Sequence, residues 1–530
     1  MKKIQKAVLF IALMIACPFM VMAQSSNPNT KWHWDKGTIV VDTPERPAGQ
    51  QSALGMTAPK LETVRVGFVG LGSRGPWAVN RYCHIPGVQI VALCDYEEER
   101  ARDTQKYLRE AGLPPADIYS GELGYEDLCK RADIDLVYVT TDWAHHFPVA
   151  KCALENGKHT AIEVPAVMNL EQIWTLIDLS EKTRHHCMML ENCCYDYFEM
   201  TTLNMAQQGV FGEIIRAEGA YIHTLHGGFG GYWHNPDGSD PDNLHWRLKY
   251  NSENRGDIYS THGLGPVAQC LNIHRGDRFT TLVAMDTKSV NGAQDAEQMS
   301  GKDYKHFRNG DHTTTLMRTE QGKVVEIQHN VMTPQPYNRL FKLTGTKGYT
   351  TKYPDSKMYI TKDQMNSVGT AEMAGKISGH DFMSQEDFDV LMNKYYHPIL
   401  KKFGDMGRDM GHGGMDYIMD ARLIYCLQNG LPLDMDVYDM AEWCALAELG
   451  ALSMDNGCAA VSFPDFTRGY WDIQKGFRHA YASPEDEAAA EKAAAASTEA
   501  QKALAVKKKL WEKYDKAQAK KEKSKDKKNK

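Results

Sequence analysis

The sequence predicts a two-domain α/β protein, the first domain on a parallel sheet and the second an α+β domain on a mostly antiparallel sheet. Two observations lead there. From Val64 to about residue 184, short apolar runs alternate with helical stretches, the pattern of a parallel sheet with right-handed crossovers. After about residue 210 the runs lengthen, alternate polar with apolar residues, and are separated by loops rich in Gly, Asn and Asp. A chain of 530 residues suits two domains with extensions.

The elements follow in order. Lys2, Lys3 and Lys6 precede an apolar run from Val8 to Ile15, and Val21-Met22-Ala23 fits a cleavage site before Gln24. Residues 1–23 therefore read as a secretory signal, which puts the mature chain in the periplasm or at the cell surface. Cleavage before Cys17 would instead leave a lipoprotein, the one route to a membrane. Residues 24–60, rich in Pro, Gly, Ser and Thr around Trp32-His33-Trp34, read as a mostly irregular linker.

The first domain spans 61–195. Its predicted strands are Val64–Val69, Val88–Cys94, Asp135–Thr140 and Thr160–Glu163, with helices over Pro76–Cys83, near 146–156 and over 169–184. The second, 196–482, has long strands at Glu213–His223 and Thr314–Gln328, and helices near 415–428 and 437–454 that pack back on the first. Residues 483–530, rich in Lys and Ala, read as a solvated appendage.

Composition excludes several classes. Hydrophobic residues make up 42% and charged residues 24%, ordinary for a globular chain, and nothing beyond the leader is apolar for long enough to span a bilayer. The tail and leader hold surplus Lys, so the body is more acidic than the overall −7 and a poor nucleic-acid binder. Of twelve cysteines one lies in the leader, and no C-x-x-C pair occurs. An odd mature count without regular spacing argues against a disulfide framework and thiolate zinc, and no metal is expected.

Gly70-Leu71-Gly72-Ser73-Arg74-Gly75 fits G-x-G-x-x-G, follows a strand, opens a helix, and has Asp95 twenty residues beyond Gly75. That context marks a Rossmann dinucleotide site. Gly70 makes the tight turn, Gly72 lets the backbone approach a pyrophosphate, and Gly75 packs helix on strand. Asp95 suits the adenine ribose hydroxyls, which favours NAD over NADP, although Arg74 nearby is of the kind that accommodates a 2′-phosphate. Thr141 to His146 and Glu163-Val164-Pro165 follow the third and fourth strands and face the same crevice; His146 is the favoured contact. His412, in Gly411-His412-Gly413-Gly414, has a flexible setting from which it could reach the site.

These motifs resemble the glucose–fructose oxidoreductase and inositol dehydrogenase superfamily. Glu-Lys-Pro usually follows the fourth strand there, whereas this chain has Glu163-Val164-Pro165 and lacks that lysine. It resembles more closely glycoside hydrolase family 109, the NAD-dependent α-N-acetylgalactosaminidases. The shared pieces are Glu163-Val164-Pro165, Trp246-Arg247, the run Tyr259-Ser260-Thr261-His262-Gly263-Leu264-Gly265-Pro266, and Asp465-Phe466-Thr467-Arg468-Gly469. Ser260 stands where the family usually has Pro, and Gly227–Asn243 looks divergent.

By that resemblance Ser73, Arg74, Asp95, Trp143, His146, Glu163, Val164 and Asn192 contact NAD, and Tyr221, Arg247, Tyr259, His262 and Tyr337 line a sugar site. The implied reaction removes terminal N-acetylgalactosamine, α-linked, by oxidation at C3, elimination, addition of water and reduction, on a tightly held and recycled NAD. His262 is the candidate base for the C3 hydroxyl, Tyr195 for the C2 proton, and Glu163 and Tyr259 orient or polarise. The substrate is then a glycan or glycoside, and homo-oligomerisation stays open. Competing readings are an exported NAD(P)-dependent sugar oxidoreductase and a non-catalytic sugar-binding protein.

Overall fold

The computed structural model describes residues 29–231, 244–477 and 510–520. The leader at 1–23 with Cys17, most of the divergent segment, and the tail at 483–509 and 521–530 lie outside the described residues. The strands of the first half are β1 (Trp32–Asp35), β2 (Thr38–Val41), β3 (Val64–Val69), β4 (Val88–Asp95), β5 (Asp117–Ser120), β6 (Leu136–Val139), β7 (His159–Ile162) and β8 (Cys187–Met189). Those of the second half are β9 (Ile214–Ile222), β10 (Phe279–Asp286), β11 (Thr313–Thr319), β12 (Val324–Asn330), β13 (Lys342–Gly345), β14 (Gly348–Thr351), β15 (Lys357–Ile360) and β16 (Ala460–Ser462).

Strands β3 to β8 form a six-stranded parallel sheet of order β5-β4-β3-β6-β7-β8. Its middle strands are buried nearly end to end because helices cover both faces, which is why they read as unbroken apolar runs. Strands β5 and β8 leave no clear mark in the sequence. At four and three residues they are too short to show a period, and β5 is a half-exposed edge.

The other sheet has ten strands, ordered β1-β2-β16-β10-β11-β12-β9-β13-β14-β15, all antiparallel except β2–β16 and β9–β12. Three differences from expectation have local causes. The segment expected as linker supplies β1 and β2, joined at Lys36-Gly37, both with positive φ, as a two-residue hairpin needs. The expected long strand at 314–328 is the hairpin β11–β12, turning at Gly322 with φ +83°. The expected helix at 437–454 is two helices meeting at Ala445. Val437–Cys444 packs on the helix Leu170–Thr183 and on β8, whereas Leu446–Asp455 packs on β10, so the bend serves both domains.

The tail is not wholly solvated. Residues 510–520 are helical, Trp511 is buried, and its indole N–H donates to Leu113 O. The Arg109 guanidinium lies 4.7 Å over that ring. Among the described residues no helix is long and apolar enough to cross a membrane, and the cysteines are free thiols.

A histidine cluster lies under the first sheet. The His159 ring sits 5.2 Å from His186 and 4.9 Å from His185, and the His186 N–H donates to His159 Nδ1 at 2.9 Å. Burial pushes His186 down to about 4, and burial with the neighbouring His186 and His185 holds His159 well below the ordinary imidazole range. Both are neutral when folded and protonate more readily when unfolded. Stability present above the ordinary histidine pKa is therefore lost as pH falls toward 4, by roughly 3 kcal/mol for His186. Thermal midpoints measured across that range should fall in the wild type and fall less in a His159→Gln/His186→Gln variant.

Candidate active site

The glycine loop fits a dinucleotide. At Gly70, with φ +93°, a Cβ would lie 2.5 Å from Thr141 N, so only glycine lets β3 turn against the end of β6. A Cβ at Gly75 would collide with Gly70 O, whereas one at Gly72 meets nothing nearer than Arg100 at 3.9 Å. The open side of the loop is thus at Gly72, where a pyrophosphate can approach bare backbone. Ser73 and Arg74 are exposed beside it, and no side chain caps the helix Gly75–Tyr82, leaving its N-terminal N–H groups for phosphate oxygens. Asp95 is buried; it accepts the Leu71 N–H at 2.5 Å and the Glu97 N–H at 3.0 Å. It therefore fixes the loop from below.

The far wall of this crevice comes from both domains. Arg74 lies 3.5 Å from the His412 ring, whose Nδ1 is 2.8 Å from Asp416. Asn192 donates to the other Asp416 oxygen at 2.6 Å. The Glu163 and Asp416 carboxylates lie close enough to the Arg74 guanidinium to favour its charge. Glu163 follows β7 directly, and Val164 next to it is buried. His146 departs from expectation. It is buried, with Nδ1 2.8 Å from Pro165 O and Nε2 3.0 Å from Thr141 O, so both nitrogens face carbonyls. Its ring ties the loops after β6 and β7 together rather than offering a free nitrogen to the crevice.

The five expected sugar-site residues converge. Tyr221 on β9 stands 4.5 Å from Tyr259, 5.3 Å from His262 and 6.3 Å from Tyr337, ring centre to ring centre. The Arg247 guanidinium lies 5.2 Å over Tyr259 and 5.0 Å over Trp143. Trp143 in turn stacks on Tyr259 at 5.8 Å, so the sugar cluster and the cofactor crevice share a wall. Burial keeps Tyr259 well above the ordinary phenol range, which makes it a neutral donor. His223, 2.7 Å from the Tyr221 hydroxyl, is pushed by burial and then Arg247 down to about 4 and is a neutral acceptor.

His262 is set by packing. Its helix, Thr261–Cys270, crosses β9 where a Cβ on Gly219 would collide with Gly263 O and one on Gly263 with Ala220 N. A Cβ on Gly265 would stand 3.0 Å from Glu191 Cγ and 3.1 Å from Trp443. The glycines of the Thr-His-Gly-Leu-Gly-Pro run are thus contact surfaces. They bring His262 Nδ1 to 2.7 Å from Glu191 Oε1, with Glu191 fully buried.

Sequence reasoning missed Glu191, His223 and Asp416. The one available signal for Glu191 was an acid closing the apolar run Cys187–Leu190, at the carboxyl end of a strand.

Two expected pieces lie elsewhere. Tyr195 is buried and donates to Asp434 at 3.1 Å, in the pocket where Arg422 pairs with Asp434. Burial and that carboxylate push its phenol above the ordinary range, and its hydroxyl is spent on Asp434 rather than turned to the aromatic cluster where a C2 base is expected. Arg468 of the Asp-Phe-Thr-Arg-Gly piece pairs with Asp178 at 2.7 Å and Glu181 at 3.0 Å, a clamp on the helix Leu170–Thr183.

Glu191, Cys193 and His262 offer ligand atoms within 4.8 Å of one another. Glu191 and His262 already share a hydrogen bond, however, and the Arg339 guanidinium donates to Cys193 Sγ at 3.1 Å. A permanent cation against one donor makes this a poor metal cage.

Two family models match the chain. Residues 64–191 match the model of an oxidoreductase family with an NAD-binding Rossmann fold, and residues 195–473 match the C-terminal domain of glycosyl hydrolase 109. Over 510 residues the chain is 68% identical to glycosyl hydrolase family 109 protein 3 of Phocaeicola vulgatus, covering 96% of this chain and 93% of that one. It is 56% identical over 446 residues to protein 1 of the same family from Bacteroides thetaiotaomicron, covering 84% and 93%. Among solved structures, a levoglucosan dehydrogenase complexed with NADH and L-sorbose aligns with TM-score 0.56 at 15% identity, over 76% of this chain and all of that one. That likeness is one of fold.

The glycine contacts give a direct test. Gly219→Ala or Gly263→Ala drives a methyl into backbone and should lower stability by roughly 1–3 kcal/mol while displacing His262. At Gly450, inside a helix, a Cβ meets nothing nearer than 3.6 Å, and Gly450→Ala should raise stability by about 0.5–1 kcal/mol. Paired thermal melts with an activity assay distinguish the two.

Proposed function

Because the chain belongs to glycoside hydrolase family 109 and is an NAD-binding glycosidase, we propose that it releases terminal α-linked N-acetylgalactosamine by an oxidation–elimination route on a resident cofactor. The observation that carries this is the shared wall: Trp143 at the cofactor crevice stacks on Tyr259 of the aromatic cluster. A sugar bound against Tyr221, Tyr259 and Tyr337 is held where a redox cofactor is held too, an arrangement that direct hydrolysis by two carboxylates has no use for.

Bound NAD supplies a reversible hydride acceptor at the sugar carbon. The remaining work falls to side chains. His262 Nε2 has no hydrogen-bond partner among the described residues, and it takes the proton of the sugar hydroxyl being oxidised. Tyr259, kept neutral by burial, donates a hydrogen bond to the ketone oxygen, and Arg247 beside it stabilises the negative charge that develops when the neighbouring proton leaves. Val164, where related dehydrogenases carry lysine, removes a cationic group and leaves these residues to manage the oxygen.

The leader expected at 1–23 supports export, soluble or anchored at Cys17, where free NAD is scarce. An exported enzyme of this kind retains one cofactor and returns it unchanged.

Purified protein without added NAD should hydrolyse a chromogenic α-N-acetylgalactosaminide. His262→Ala should lose roughly 10²–10⁴-fold in kcat while still carrying NAD measured by mass spectrometry of the denatured protein. Full activity in that variant removes His262 from the mechanism. Turnover only with added NAD, yielding a keto-sugar, identifies a net sugar oxidoreductase instead.

A further inference from the structure

We infer that Glu191 is a positioning residue for His262: it fixes which imidazole nitrogen is basic and stabilises the ring once that nitrogen is protonated. The inference rests on the role proposed for His262 as the base. Glu191 lies one residue past Leu190, just beyond β8 of the first domain, and His262 lies on the first turn of a second-domain helix, so the pair spans the two domains. The carboxylate is fully buried and held from two sides. Its Oε1 accepts His262 Nδ1–H at 2.7 Å and the Cys193 N–H at 3.1 Å. A Cβ at Gly265 would stand 3.0 Å from Glu191 Cγ, so glycine there leaves the space that the Glu191 side chain occupies.

The chemistry follows from the contact. With Nδ1–H given to a carboxylate, the lone pair sits on Nε2, the nitrogen left without a protein partner among the described residues. When Nε2 takes a proton, the imidazolium faces an anion 2.7 Å away in a buried site, where that attraction is worth far more than in water. The groups facing His262 are Glu191 and Cys193 after β8, Tyr221 and His223 on and beyond β9, Tyr259 on the preceding loop, and Arg247 over Tyr259. Among these Glu191 is the one carboxylate. Burial works against its charge, yet His262, Thr261 and the Cys193 N–H together keep Glu191 below the ordinary carboxylate range.

The experiment uses the full chain with its cofactor. Histidines are ¹⁵N-labelled, His262 is assigned with His262→Gln, and its titration is followed by NMR in wild type, Glu191→Gln and Glu191→Asp. The inference predicts that Glu191→Gln lowers the His262 pKa by about one unit or more. It also predicts that kcat falls roughly 10²–10⁴-fold with KM changed less than about threefold, bound NAD unaltered, and much of the loss recovered by Glu191→Asp.

An unchanged His262 titration in Glu191→Gln overturns the inference, whatever the activity. The titration needs no substrate. A wild type that shows the shift but cleaves no N-acetylgalactosaminide therefore contradicts the substrate reading and not the Glu191–His262 coupling. If Glu191→Gln folds poorly by thermal melt, the ¹⁵N shifts of His262 in the wild type carry the test, and a ring protonated at Nε2 rather than Nδ1 in its neutral form is equally fatal.

Discussion

The close crossing of the helix Thr261–Cys270 over β9 is the constraint on which the rest of the site depends. Three glycines make it. Gly219 and Gly263 let helix and strand backbones touch, and Gly265 lets the same helix lie against Glu191 and Trp443. A methyl at the first two would force the elements apart, and His262 would leave both Glu191 and the aromatic cluster. Packing against two neighbours at once fixes the imidazole in position and orientation before any sugar arrives. Preorganised polar groups of this kind act without the reorganisation that water would require.

Burial around that point sorts the titratable groups by role. Tyr259 is held well above the ordinary phenol range by burial, so it acts as a neutral surface and donor. His223 and His329 are pushed down to about 4 and about 3, chiefly by burial, and stay uncharged. Positive charge near the cluster comes from Arg247 over Tyr259 and from Arg339 behind Tyr337, the latter balanced by Glu199 and Asp196. Of the nearby histidines, His262 is the one with a carboxylate at 2.7 Å and a free second nitrogen among the described residues. One base and several neutral donors therefore share one cluster.

Much of this was legible in the sequence, for identifiable reasons. The parallel sheet announced itself because buried middle strands are uninterrupted apolar runs, and the cofactor loop because its glycines keep a fixed spacing between a strand and a helix with an acid twenty residues on. Tyr221, Arg247, Tyr259, His262 and Tyr337 could be gathered by resemblance, and the structure brings them together. What stayed hidden depends on distant partners. Tyr195 looked available until Asp434, 239 residues away, took its hydroxyl. Glu191 follows a strand of only three residues, too short to mark its end, and its meaning comes from a helix 71 residues later. The docking of residues 510–520 through Trp511 was likewise invisible in a stretch dominated by Lys and Ala.

The most direct measurement of the central claim is hydrolysis of an α-N-acetylgalactosaminide in D₂O, without added NAD, with mass spectrometry and NMR of the released sugar. If the residues around His262 serve oxidation and elimination, the product carries deuterium at C2 and the protein keeps its cofactor unchanged. Release of sugar with only protium at C2, at full rate, would contradict elimination and return the site to direct hydrolysis.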